Sequence, residues 1–155
     1  MKINESWLRN KSACSDGIEW FLEQKEIDGS GLEIVRKLMK ENRLTWANWA
    51  MARIMTYKQY VSYAVYAAKQ VINLFEKKYP NDKRPRQAIE AAKKCITEPT
   101  KKNRDADAAY AAYDAAHAAV HVAADAAYAA DAGAKMKIII LKYGIKLLEC
   151  ERGEK

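Results

Sequence analysis

The only two histidines of the chain stand four residues apart, the spacing with which a helix presents two ligands to one transition-metal ion. His117 and His121 are flanked by Asp114 and Asp125, which share one side of a helical wheel and offer a third ligand. Zinc proteases place a glutamate directly after the first histidine as general base, whereas here the pair reads His-Ala-Ala-Val-His. A pair flanked by aspartates is more typical of a hydrogen-bonded network. We therefore predict no metal, with His117 and His121 as weak candidates and a metal-dependent hydrolase as the alternative.

Other catalytic patterns are missing from the sequence. It contains no nucleophile elbow, no glycine-rich phosphate loop and no kinase-like string. Its three cysteines, Cys14, Cys95 and Cys150, include no CxxC pair and no recognisable histidine context, which is typical of reduced cytosolic thiols. We predict a protein that is not an enzyme and needs no cofactor.

The positive charge of the chain is concentrated in one segment. Residues 77–104 hold ten Lys or Arg and three acids, an excess equal to the net charge of +7 of the whole chain. Such a segment indicates an acidic partner, although it also suits a solvated helix face that keeps a protein soluble. The predicted partner-binding basic patch consists of Lys83, Arg84, Arg86, Lys93, Lys94, Lys101, Lys102 and Arg104.

Two of these cations have an unfavourable position in a helix. Pro85 predicts a helix start, which places Arg84 and Arg86 in a first turn where the macrodipole disfavours cations. Two explanations remain open from the sequence. The arginines either form ion pairs with Glu76, Asp82 or Glu90 that lock the turn, or they anchor an acidic partner.

A second candidate surface lies on an alanine-rich segment. Between Asp105 and Ala134, 17 of 30 residues are alanine, which predicts a long helix with a smooth surface for close helix packing. Six polar and aromatic side chains of this helix fall within a sector of about 80° at 100° per residue. This recognition stripe consists of Tyr110, Asp114, His117, His121, Asp125 and Tyr128. It either faces water or forms a recognition ridge.

The segments that must position these residues show the periodicity of helices. Capping signals occur at Ser15, at Ser30 with Glu33, and at Thr56 with Gln59. After Thr56, apolar residues recur at spacings of 4, 3, 4, 3 and 4, which predicts a seam against another helix. These are Tyr57, Val61, Ala64, Ala68, Val71 and Phe75. Whether such seams also close a homodimer stays open.

The fold class predicted from this pattern is all-α. The sequence predicts one helical domain over 1–155, with amphipathic helices over 1–98, the alanine-rich helix over 103–132 and a C-terminal amphipathic helix over 134–150. Gly133 is expected to break or kink the chain between the last two. Half of the residues are hydrophobic and 30% are charged, which excludes a disordered chain. The longest aliphatic run, 138–141, is far too short for a membrane span, so we expect a soluble cytoplasmic protein.

The aromatic residues are amphipathic types. Nine Tyr and four Trp accompany only two Phe, a set that suits half-buried positions where the ring packs and the polar atom stays wet. Ordinary packing at the core and its rim is the favoured explanation. A protein-binding surface is the alternative, because Tyr, Trp and Arg are frequent hot-spot residues.

Several segments together resemble a known family. They are LTWANWAMAR (44–53), YAVYAAKQV (63–71) and FEKKYPNDKRPRQAIEAA (75–92), preceded by ACSDGIEW (13–20) and followed by the alanine-rich helix. This pattern, over about residues 13–132, resembles the immunity-protein-like family of alanine-rich proteins found in bacterial toxin–immunity loci and in phage genomes. Its most specific string is RPRxAIE at 84–90, while the tail 135–155 departs from the family pattern. The resemblance implies an all-helical fold and a neutralising, non-enzymatic role, without catalytic residues.

The function that we expect is therefore binding. The protein is expected to neutralise another macromolecule by occlusion, either a toxin or, in a phage, a host defence effector such as a CRISPR enzyme. Its partner would present an acidic protein surface. The alternative is a basic protein that binds or sequesters nucleic acid or a signalling nucleotide, although no nucleic-acid-binding motif accompanies the basic segment.

Overall fold

The computed structural model describes residues 1–24, 29–97 and 130–150. Over these ranges the chain is all-α, as predicted, and its strand-like pairing is limited to a single bridge between Lys2 and Ser30. The helices are α1 (Glu5–Asn10), α2 (Ser15–Glu23), α3 (Gly31–Lys40), α4 (Leu44–Ile54), α5 (Tyr57–Lys78), α6 (Arg84–Thr97) and α7 (Ala130–Cys150). No helix in the described ranges is long and apolar enough to cross a membrane.

The chain divides into two compact units, Met1–Met55 and Thr56–Lys155. The single domain predicted over 1–155 stays a prediction. The predicted alanine-rich helix over 103–132 lies outside the described residues except at its end, and so does the whole recognition stripe.

In the first unit, α3 and α4 pack against each other over a core that includes Leu32, Val35, Leu38, Ala47 and Met51. The start of the chain is tied to the start of α3 by backbone hydrogen bonds. The N–H of Ile3 donates to the carbonyl of Gly29 at 2.6 Å, and the N–H of Gly31 donates to the carbonyl of Met1 at 3.1 Å. These bonds bring Ile3 into the core, where it is buried.

Two helices of this unit end in Schellman motifs. After α1, the N–H of Ser12 donates to the carbonyl of Arg9 and the N–H of Ala13 to that of Leu8, both at 3.0 Å. After α3, Asn42 occupies the corresponding position. Ser12 and Asn42 have φ of 56° and 58°, the left-handed conformation that the motif requires. The motifs satisfy backbone carbonyls at two sharp turns without glycine.

In the second unit, α5 lies between α6 and α7. Buried Val61, Val65, Ala68 and Ile72 of α5 form a cluster with α6. The predicted capping box at the start of α5 is confirmed, with hydrogen bonds between Thr56 and Gln59 in both directions. A turn follows α5, because the helix ends at Lys78 and the N–H of Asp82 donates to the carbonyl of Tyr79 at 3.1 Å.

The side of α6 that packs on α5 is buried at its centre, at Ile89 and Ala92. On α5, the predicted apolar seam is confirmed at Val61, Ala68 and Val71, which are buried. Its first residue, in contrast, is exposed. Tyr57 is 45% exposed because it occupies the first turn of the helix, ahead of the packed part.

The expected break at Gly133 is wrong. The helix α7 is continuous from Ala130 to Cys150 and passes through Gly133. A glycine inside a helix costs about 1 kcal/mol relative to alanine, which the alanines and aliphatic residues around it offset. The three successive isoleucines at 138–140 are helical as well, with Ile140 and Leu141 buried.

Two local expectations in the first unit are also wrong. The sequence predicts that Leu22 of α2 faces inward, but its side chain is 55% exposed and Trp20 is buried instead. Trp20 is fixed by tertiary contacts, because its indole N–H donates to Glu41 Oε2 at 2.7 Å. Ser30 is the N-cap of α3 without forming a side-chain capping bond, and Glu33 pairs with Arg36 at 3.0 Å.

Candidate partner-binding site

The described part of the basic patch lies on α6 and on the residue before it. Lys83, Arg84, Arg86 and Lys94 are exposed, and Lys93 keeps 36% of its side chain exposed. At 100° per residue, Lys94 lies on the side of α6 opposite the buried Ile89 and Ala92. The remaining predicted members, Lys101, Lys102 and Arg104, lie outside the described residues.

Arg84 is paired with an acid in the turn before α6. Its Nε and Nη2 atoms donate to the two oxygens of Asp82 at 2.9 and 2.6 Å. Asp82 Oδ1 also accepts the backbone N–H of Arg84 at 3.1 Å, so a carboxylate lies at the helix N-terminus. These hydrogen bonds, first from the guanidinium and then from the backbone, lower the pKa of Asp82 from 3.8 to about 2. The carboxylate offsets the unfavourable position of the cation in the macrodipole.

Arg86 connects two helices. Its Nε and Nη2 atoms donate to the two oxygens of Glu76 on α5 at 2.6 and 2.7 Å. This bidentate pair joins α5 and α6 across the turn, and it lowers the pKa of Glu76 mainly through the hydrogen bond from Arg86. Lys93 forms a similar pair with Glu90 within α6, which lowers the pKa of that carboxyl. The ion pairs expected for Arg84 and Arg86 are thus present, and partner anchoring by the same arginines stays a prediction.

Ion pairing leaves much of each guanidinium accessible. The side chain of Arg84 is 87% exposed and that of Arg86 is 51% exposed. A guanidinium has five N–H donors, and each bidentate pair uses two of them. Three donors on each arginine therefore remain outside these bonds, in directions that the ion pairs fix.

The tryptophans form a second notable group, in the first unit. Trp7 packs edge-on against Trp49 with ring centroids 6.1 Å apart, and Trp20 packs against Trp46 at 6.4 Å. Arginines cover two of these rings from outside. The Arg53 guanidinium lies 4.1 Å from the Trp49 centroid and that of Arg43 lies 4.7 Å from Trp46.

Sequence reasoning missed this group as a unit. All four tryptophans occur within the first 49 residues, which was the available signal. Two tyrosines of α5 agree with the packing explanation favoured for the aromatic residues, since Tyr63 is buried and Tyr66 stacks on Tyr143 of α7 with ring centroids 3.9 Å apart. Burial raises the pKa of the Tyr63 hydroxyl.

The metal-site prediction concerns residues that the structure does not describe. His117 and His121 lie outside the described ranges, together with Asp114 and Asp125. Within the described ranges, no group of three or more His, Cys, Asp or Glu side chains could hold a metal ion. Cys14 and Cys150 are both exposed thiols.

Comparisons with protein-family models, with curated proteins and with solved structures find no match to this chain.

Proposed function

We propose that the protein is a non-enzymatic binding protein that neutralises another macromolecule by occluding it, with its basic segment against an acidic protein surface. The resemblance to immunity-protein-like sequences suggests the class of target, which is a bacterial toxin or, for a phage-borne gene, a host defence effector such as a CRISPR enzyme. Such targets place the protein in the cytoplasm. Binding to a nucleic acid or a nucleotide is the alternative that the experiment below separates.

The geometry of Arg84 and Arg86 is the observation that supports this proposal. Each guanidinium group is held by two hydrogen bonds, while each arginine side chain as a whole remains at least half exposed. Fixing a long side chain before binding reduces the conformational entropy lost in the complex. Three N–H donors on each group can then engage carboxylates of a partner.

The lysines of the patch add a different contribution. Lys83 and Lys94 are exposed and form no direct salt bridge with a described acid, although the charge of Lys83 helps to lower the pKa of Glu76. Exposed charges of this kind accelerate association with an oppositely charged surface more than they strengthen the final complex. The arginines would therefore orient the partner, while the lysines increase the rate of encounter.

The proposal is tested by isolating the tagged protein from cells that express its own genomic neighbours. We expect one protein partner in stoichiometric amount, resistant to nuclease treatment. The double substitution Lys83→Glu and Lys94→Glu should reduce its recovery at least tenfold. A matched control replaces Lys11 and Lys40, two exposed lysines of the first unit, by glutamate and should retain the partner.

Three results would contradict the proposal. They are repeated recovery of no stoichiometric protein, equal recovery with the Lys83/Lys94 and Lys11/Lys40 variants, and a bound species that nuclease removes. The double variant Arg84→Ala and Arg86→Ala separates folding from binding. A lower melting temperature with full binding assigns the arginines to structure alone.

A further inference from the structure

A partly open apolar cavity of about 210 Å³ lies within the first unit. Its floor includes the buried side chains of Ile34, Leu38 and Ala50, and exposed Cys14 and Thr45 stand at its rim. Sites for small molecules are typically concave, mostly apolar and largely preformed. A partly open apolar cavity of this kind is therefore a candidate site. We propose that this cavity binds a neutral aromatic molecule of one or two fused rings.

The walls of the cavity are indole rings that are held from outside it. Trp20, Trp46 and Trp49 all line the space. The Trp20 N–H is bonded to Glu41 at 2.7 Å, and arginine side chains lie against Trp46 and Trp49. Trp49 is also packed against Trp7. These contacts oppose collapse of the rings into the cavity, so the space is preformed for a ligand.

The lining determines the charge of the ligand. None of the described residues that line the cavity is charged, and its polar members are Ser12, Cys14 and Thr45 near the rim. A carboxylate or an ammonium group placed inside would lose its hydration without gaining a charged partner. A neutral ligand avoids this cost.

The volume and the walls determine the size and shape of the ligand. An apolar cavity of about 150 Å³ holds one benzene ring, whereas sites for drug-sized ligands begin at about 300 Å³. A volume of about 210 Å³ lies between these limits and fits one ring or two fused rings. Indole walls favour an aromatic ligand, because edge-to-face and offset-stacked ring pairs add to the gain from apolar burial.

The test uses the full-length chain with toluene and indole as neutral probes and benzoate as the charged probe. In ¹H–¹⁵N spectra, we expect saturable shifts of the indole N–H signals of Trp20, Trp46 and Trp49, and no shifts of amides in α6. Both neutral probes should raise the melting temperature, because they bind the folded state alone. Benzoate should bind at least tenfold more weakly than toluene. No saturable shift with either neutral probe, or equal affinity for benzoate, overturns the proposal.

Two matched substitutions on α4 locate the site. Ala50→Leu fills the cavity and should abolish the response to toluene, whereas Ala52→Leu alters a half-buried residue of the same helix that does not line the cavity and should retain it. The smaller change Ala50→Val should weaken toluene binding by an intermediate amount. A full toluene response in folded Ala50→Leu overturns the proposal. This site is independent of the basic patch, so its failure leaves the proposed partner binding unaffected.

Discussion

Among the residues that the structure describes, Gly29 is the one whose backbone conformation most clearly excludes a side chain. It has φ of +77°, and a Cβ atom added to it would lie 2.9 Å from the carbonyl oxygen of Ile3. Because the Ile3 oxygen belongs to a backbone that is hydrogen-bonded to Gly29, neither partner can move independently. We expect Gly29→Ala to lower the free energy of unfolding by more than about 1 kcal/mol.

Gly17→Ala is the matched control for Gly29→Ala. A Cβ at Gly17 would lie 3.3 Å from Sγ of Cys14, the end of a side chain that can rotate. Gly17 is also inside α2, where alanine is favoured by about 0.5–1 kcal/mol. Stability should therefore rise or stay unchanged. Urea unfolding followed by tryptophan fluorescence measures both variants, because all four tryptophans belong to residues 1–55. Equal losses in the two variants would contradict this prediction.

The lowered pKa of Asp82 predicts that the stability of the folded chain depends on pH. This pKa falls from 3.8 to about 2 in the folded chain, mainly because of the hydrogen bond from the Arg84 side chain. A depressed folded-state pKa contributes stability that is fully present above pH 4 and is lost as pH falls towards 2. Asp82→Asn should therefore lower the urea midpoint, measured by far-UV circular dichroism, at pH 7 but make little difference at pH 2. If Asp82→Asn lowers the urea midpoint by the same amount at pH 2, the loss of stability comes from packing and not from the charge of Asp82.

Between elements, one glutamine connects the start of α5 to the last turns of α7. Gln59 is only 6% exposed, and its Oε1 accepts the backbone N–H and the hydroxyl of Thr56 at 2.9 and 3.1 Å. Its Nε2 donates to the carbonyl of Leu147 at 2.8 Å. Gln59→Ala removes these part-buried hydrogen bonds to Thr56 and Leu147 together and should cost about 1–3 kcal/mol of stability.

Thr56→Ala distinguishes the two roles of Gln59. It removes the threonine side of the capping box, which typically costs about 1 kcal/mol, and leaves the bond to Leu147 in place. Native-state hydrogen exchange should therefore show faster exchange at the end of α7 in Gln59→Ala than in Thr56→Ala at matched overall stability. The same exchange rates in both variants would show that the Leu147 bond does not stabilise α7.

For the whole molecule, the placement of charge should matter more than its total. The double substitutions Lys83→Ala with Lys94→Ala, and Lys11→Ala with Lys40→Ala, both lower the net charge from +7 to +5. Each lysine that contacts a polyanion contributes about one unit to the dependence of log K on log salt. With a double-stranded DNA oligonucleotide at low salt, we expect the first variant to lose about two units of slope and the second to lose none. Equal slopes would show that charge density on α6 is unimportant.

The sequence by itself determined the features that depend on neighbours within a few residues. Helical periodicity predicted the all-α class, and the Thr56 and Gln59 side chains predicted their own capping box. Asp82, two residues before Arg84, made an ion pair one of two explanations for that arginine, and the structure shows this pair. Such features are readable because local backbone geometry places the groups together whatever the rest of the fold does.

Tertiary structure alone decided the features that depend on which helices meet. Periodicity could not choose between Leu22 and Trp20 as the buried residue of α2, because that choice follows from the hydrogen bond between Trp20 and Glu41. It could not show that Gly133 lies within a continuous helix, since the cost of one glycine is smaller than the gain from packing α7 on α5. Of these features, the tryptophan-lined cavity is the least predictable from the sequence. A void is a property of how side chains from separate helices fit together, and no spacing within one helix encodes it.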